Sequence, residues 1–198
     1  GKETPSGHLA MTWAENYADY PSAPSFSHLS GNVDDSYYQE GIYVGYRYFD
    51  TFGIRPAYPF GYGLSYTEFD IHSSGVLIKG ENLEVQVRVT NVGKQYAGRE
   101  VVQVYYSSPA GVIEKPYQEL AGFSKTKVLQ PGESELLRIT FPIRAMASYD
   151  ETRAAFVLEA GKYYIRIGNH SRNTHIVATM LVDEEKITRR FENKLCLD

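Results

Sequence analysis

Leu83, Val85, Val87 and Val89 alternate with Glu84, Gln86, Arg88 and Thr90. Successive side chains on a strand point to opposite faces, so this run makes a strand with one buried face. Asn91-Val92-Gly93 ends it. Val101-Val102-Gln103-Val104-Tyr105-Tyr106 follows, rich in β-branched and aromatic residues. Further strands are expected within residues 120–129, 136–141, 156–158, 163–168 and 176–182, with turn signals at Pro116, Pro131-Gly132 and Gly161 between them. About seven short strands at regular spacing predict an antiparallel β-sandwich.

The sandwich is assigned to residues 70–183, in a fibronectin-III or immunoglobulin-like class. The chain has one cysteine, Cys196, so it forms no internal disulfide, which favours the fibronectin-III-like variant. Residues 184–198 are a charged C-terminal tail, expected to lie over a neighbouring surface or to fray.

Residues 1–69 read differently. Gly, Pro, Ser and Asp scattered through residues 1–31 indicate turns and loops. Leu9, Met11 and Trp13 alternate with Ala10 and Thr12, which predicts one short strand over 8–13. Ile42, Tyr46 and Phe49 have helical spacing within residues 39–52, and Gly53 is the expected stop. Pro56 and Pro59 forbid a longer helix, and Gly61 and Gly63 mark a tight turn feeding the first sandwich strand. The expected fold is thus mostly β, with an extended, loop-rich segment and one short helix ahead of the sandwich. One strand and one helix cannot bury a core of their own, so this segment must lean on the sandwich or on a further domain.

The net charge of −4 argues against a nucleic-acid partner, which selects a basic face. No apolar run approaches the ~20 residues of a membrane helix, and residues 1–10 lack the basic start and apolar core of a signal peptide. Tyrosine is heavily used, with 17 copies, which suits half-buried strands and polar-edged contact surfaces.

Few residues suggest chemistry. Gly61-Tyr62-Gly63-Leu64 lacks the third glycine and following helix of a dinucleotide loop, and Ser65 lacks a nucleophile-elbow frame. His8, His28, His72, His170 and His175 show no zinc-site spacing, and Cys196 stands alone. Glu15, Asp19, Asp34, Asp35, Glu40 and Asp50 are the carboxylates outside the sandwich strands. Glu40 and Asp50 flank the helical stretch, about 15 Å apart along an ideal helix, too far for the paired carboxylates of glycoside hydrolysis. Glu40 is expected to favour the helix start, and Asp50 to pair with Arg47 or Arg55. No catalytic, cofactor-binding or metal residue is assigned, and no cofactor is expected. Tyr105, Tyr106, Tyr163 and Tyr164 suit packing within strands, with sugar stacking as the alternative.

Several blocks resemble a known family. Gly1-Lys2-Glu3-Thr4-Pro5-Ser6-Gly7-His8-Leu9 followed by Thr12-Trp13, then Asp19-Tyr20-Pro21, is similar to the stretch that closes the α/β sandwich domain of glycoside hydrolase family 3. Glu40-Gly41-Ile42-Tyr43-Val44-Gly45-Tyr46-Arg47-Tyr48-Phe49-Asp50 and Pro59-Phe60-Gly61-Tyr62-Gly63-Leu64-Ser65-Tyr66-Thr67 resemble two further blocks in the family's order. So do Thr90-Asn91-Val92-Gly93, Gly98-Arg99-Glu100-Val101-Val102-Gln103-Val104-Tyr105, Glu119-Leu120-Ala121-Gly122-Phe123 and Leu129-Gln130-Pro131-Gly132-Glu133. The resemblance implies a β-glucosidase-like parent, with an Asp nucleophile on a (β/α)8 barrel and a Glu acid/base on the α/β sandwich domain. No position here matches either motif, so the chain is expected to brace catalytic domains that it does not contain and to meet the glycoside substrate only through them. A carbohydrate-binding module and a free-standing fibronectin-III-like interaction domain are the alternatives.

Overall fold

The computed structural model describes residues 3–26, 34, 35 and 37–192. A short pair comes first: β1 (Trp13–Ala14) lies antiparallel to β2 (Pro56–Tyr58), with α1 (Tyr46–Thr51) between them in sequence. The sandwich strands are β3 (Phe69–Lys79), β4 (Asn82–Asn91), β5 (Val101–Ser107), β6 (Glu119–Lys125), β7 (Ser134–Pro142), β8 (Ser148–Asp150), β9 (Ala155–Leu158), β10 (Gly161–Gly168), β11 (Thr174–Val182) and β12 (Lys186–Arg190).

One sheet runs β3-β4-β7 and the facing sheet runs β11-β10-β5-β6, every pair antiparallel. Leu83, Val85, Val87 and Val89 of β4 are 0–1% exposed and meet Val102, Val104, Ile165, Ile167 and Leu137 in one cluster. The alternation in the sequence therefore sets which face of β4 enters the core. Ile165 is fully buried in that cluster. Ile165→Ala is expected to cost about 3 kcal/mol by urea titration, from lost transfer energy and the residual cavity; a loss below about 1 kcal/mol would mean the sheets are not packed as described.

Three expectations change. The helix is shorter than residues 39–52, because Gly41 (φ 54°) and Gly45 (φ 59°) both take left-handed backbone and the chain turns until Tyr46. The short strand expected over 8–13 is reduced to a bridge between His8 and Gly63 and the Trp13–Ala14 pair. The tail is ordered as far as Arg190: β12 pairs with β9 in a small sheet, β12-β9-β8, and presents Lys186, Arg189 and Arg190 at its edge. Charged side chains on an edge strand discourage pairing with another chain.

The face of β5 opposite the core is also covered. Gln103 and Tyr105 point away from Val102 and Val104, yet are only 4% and 0% exposed. Residues of the 3–69 segment lie over them, so β5 is buried on both faces.

Candidate functional site

The segment is seated on the sandwich through a polar and aromatic interface centred on α1. The Tyr46 ring stacks against Phe60 (5.0 Å between centroids) and meets Tyr105 edge-on (5.8 Å). Its hydroxyl accepts the Leu120 N–H at 2.8 Å. Burial raises its pKa, and burial drives that of Tyr105 up strongly. The Tyr105 hydroxyl donates to Gln103 Oε1. Gly61 lies directly against Gln103: a Cβ there would come within 2.3 Å of Nε2, and φ is +85°, so only glycine fits.

Arg47 pairs with Glu119 at 3.0 Å, and the Thr51 hydroxyl oxygen accepts the Tyr117 N–H at 2.9 Å. Asp50 pairs with neither Arg47 nor Arg55. Its Oδ1 lies 2.7 Å from Arg172 Nε, and its Oδ2 accepts from Gln118 Nε2 at 2.9 Å. Arg172 Nη2 also donates to the carbonyls of Phe49 (2.7 Å) and Ile54, gripping the end of α1. Burial raises the pKa of Asp50, against the opposing pull of Gln118 and Arg172. Gln118 is 1% exposed and also donates to the Ser171 carbonyl at 2.7 Å. No sequence signal links Asp50 to Arg172, because the contact spans two separate elements.

Above this seat the segment presents an aromatic surface. Tyr17, Tyr20, Phe49, Tyr48, Phe52 and Tyr43 form a continuous series with centroid separations from 4.9 to 6.5 Å. Trp13, Tyr58, Tyr62 and His170 form another, at 5.1 to 6.3 Å. Phe49 is fully buried and anchors the first series, while Trp13, Tyr17, Phe52 and Tyr58 are 44–56% exposed. Met11 and Tyr38, in the same part of the chain, are 59% and 86% exposed. Single exposed rings need no explanation, but two linked series with exposed members on one short segment are a concentration of apolar surface.

The other carboxylates named from the sequence do not converge. Glu15 pairs with Arg55 at 3.1 Å, and Asp19 Oδ2 accepts the Asn16 N–H at 2.8 Å. Asp34 and Asp35 are exposed. Glu40 precedes α1 rather than opening it, and its Oε2 is buried without a hydrogen-bond partner among the described residues. Thr12 Oγ1, on the same segment, is likewise buried and unpartnered. His72 pairs with Asp70 at 3.1 Å; His28 and Cys196 lie outside the described residues. No group of three or more His, Cys, Asp or Glu among the described residues is placed to hold a metal, and no described helix is long and apolar enough to cross a membrane. Tyr105, Tyr106 and Tyr163 are at most 5% exposed, so packing occupies them; Tyr164 is 37% exposed.

Comparison with known proteins agrees with this architecture. The model of the fibronectin type III-like domain matches residues 100–171. The chain is 40% identical to β-glucosidase A of Butyrivibrio fibrisolvens, over 98% of this chain and 26% of that protein. It is 37% identical to an exo-α-(1→6)-L-arabinopyranosidase of Bifidobacterium breve, over 96% of this chain and 24% of that one. Among solved structures, a β-glucosidase from Paenibacillus barengoltzii superposes with a TM-score of 0.91 at 44% identity, covering 98% of this chain and 22% of that one. β-Glucosidase 3B from Thermotoga neapolitana, in complex with α-D-glucose, gives 0.87 at 46%, covering 94% and 26%. The chain thus spans about a quarter of the length of these relatives. Sequence and fold together place it in glycoside hydrolase family 3, as the portion that carries the fibronectin type III-like domain.

Proposed function

We propose that the chain is the non-catalytic C-terminal part of a β-glucosidase-like glycosidase that hydrolyses O-glycosyl bonds, and that it braces the catalytic domains of that enzyme. Residues 1–69 are the end of the α/β sandwich domain and a linker, 70–183 the fibronectin-III-like domain, and 184–198 the C-terminal tail. The observation that carries this reading is the two linked ring series, one from Tyr17 to Tyr43 and one from Trp13 to His170, beside α1 on the outer face of β5. Large rings with few rotatable bonds bury much area at low entropic cost, which suits a permanent contact with a neighbouring domain. Relatives named for two different glycosides, β-glucosides and an α-linked arabinopyranoside, share this portion, which supports sugar specificity residing elsewhere.

The test compares the chain with its parent enzyme. Met11→Ser with Tyr38→Ser is expected to move the chain's own stability by less than about 0.5 kcal/mol, as exposed substitutions do. In the parent, the pair should cost more than about 1 kcal/mol per ring or thioether buried at the contact, with activity lost at lower temperature. Equal effects in both would sink the bracing role. The chain alone should release no nitrophenol from an aryl β-glucoside; release would make it catalytic, with Glu40 the first carboxylate to replace.

A further inference from the structure

Residues 4–9 reach the sandwich through a histidine whose two ring nitrogens both face acceptors. His8 Nδ1 lies 2.5 Å from the Gly61 carbonyl oxygen, and its Nε2 lies 3.3 Å from Glu100 Oε1. Both neighbours are acceptors only. A neutral imidazole carries one N–H, so one ring nitrogen would then face an acceptor with its lone pair. The imidazolium satisfies both. Glu100 is 8% exposed, and the same Oε1 accepts the Val101 N–H at 2.8 Å, so the carboxylate is held in place by its own strand. Loss of the cation leaves it buried with one partner fewer, which is costly.

The contact sits where the segment has little room to shift. Leu9 N–H donates to the Tyr62 carbonyl and Gly61 N–H to that of Leu9, both at 2.8 Å. A Cβ on Gly63 would come within 2.6 Å of the Gly7 carbonyl oxygen, so the two backbones are already in close contact. Residues 4–9 are also tied by the Thr4 hydroxyl on the Ala97 carbonyl (2.6 Å) and Lys125 Nζ on that of Ser6 (2.7 Å). The charged and titratable groups facing His8 are Glu100 ahead of β5, Lys125 on β6 and His170 after β10.

We propose that His8 is a protonation-dependent latch: as the imidazolium it tightens the hold of residues 4–9 and the 59–63 turn on the sandwich, and on losing its proton it loosens that hold. Burial lowers its pKa and Lys125 opposes the charge, but the bonds to Glu100 and Gly61 outweigh both, and the value is raised overall. A raised folded-state value gives stabilisation that is full below the ordinary histidine value, ~6.5, and is lost as pH rises through the folded value. His170 has the opposite sign. Burial lowers its pKa, and its Nδ1 accepts the Arg172 N–H at 3.2 Å, so its effect falls on the acid side of ~6.5. The two histidines therefore act in separate windows.

The experiment follows amide exchange of Leu9, Gly61 and Ser171, the last tying the 59–63 turn to the sandwich through the Phe60 carbonyl, in the 198-residue chain from pH 5.5 to 8.5, corrected for intrinsic exchange, beside an NMR titration of His8. Protection should fall roughly threefold or more as His8 deprotonates. His8→Lys, always charged here, should keep protection flat and high, and His8→Gln should leave it flat and low. A flat wild-type profile overturns the latch even if a variant fails to fold, as does a His8→Gln chain that keeps the wild-type pH dependence. The readout is confined to this chain and is independent of any hydrolytic activity of a parent enzyme.

Discussion

Replacing Arg172 by Met should destabilise the chain by about 3 kcal/mol at neutral pH, the lower end expected for breaking a buried pair, because Arg172 is a third exposed. The side chain makes three separate contacts on α1 and the turn after it: the Asp50 carboxylate and the carbonyls of Phe49 and Ile54. Without it, Asp50 keeps Gln118 but stays buried, its side chain 3% exposed. Its pKa, already raised by burial, must then rise further. The sign follows from linkage. A carboxylate whose folded value lies above its unfolded one destabilises the fold above the folded value, and the penalty shrinks as pH falls through it. The loss should therefore be larger at pH 7 than at pH 4.5 in parallel urea titrations. Asp50→Asn in the same background should recover part of it, since a neutral amide needs no counter-ion. A loss that is below about 1 kcal/mol and identical at both pH values would show that the pair is not what seats the helix.

The second large effect is expected at Gly168, the last residue of β10, paired with both Thr174 and Gln103. A Cβ there would lie 1.8 Å from the Asn173 carbonyl oxygen and 3.1 Å from Thr174 Cα. Both are backbone, so no rotamer change relieves the clash, and the β10–β11 hairpin must open. Gly168→Ala should cost about 3 kcal/mol, at the upper end for overpacking. The damage should reach beyond the hairpin, because its turn carries Ser171 and Arg172. The Ser171 N–H donates to the Phe60 carbonyl at 2.9 Å, and the Ser171 carbonyl accepts from Gln118. Near-ultraviolet dichroism from the tyrosine cluster should weaken along with thermal stability. Gly7→Ala is the control: nothing lies within 4 Å of its Cβ position, so its effect should stay within about 0.5 kcal/mol. Comparable losses at the two sites would refute the close-approach account.

The sandwich was legible because strand periodicity is a local property. In β4 each apolar residue sits two positions from the next, and the pleat turns that spacing into a buried face whatever lies elsewhere. The dependence of residues 3–69 on something else was legible too, from the want of enough apolar elements to close a core. The helix limits were only half legible. The apolar spacing from Ile42 is real, but Gly41 and Gly45 take left-handed backbone, a choice made by the turn and not by the spacing.

The tertiary structure alone decided where the segment leans. Val101-Val102-Gln103-Val104-Tyr105-Tyr106 reads as a strand, but nothing local says that its outer face would be roofed by Tyr46 and Gly61. The partner of Asp50 differs from the expectation for the same reason. Arg47 and Arg55 are near in sequence, while Arg172 is brought alongside only by the β10–β11 hairpin. The tail also gained a strand because β9 offered it an open edge. Sequence by itself determined which residues must be buried, because hydrophobic patterning needs no partner to be read. Which buried or charged group meets which was decided by long-range packing, since ion pairs and ring contacts depend on distances that no spacing along the chain encodes.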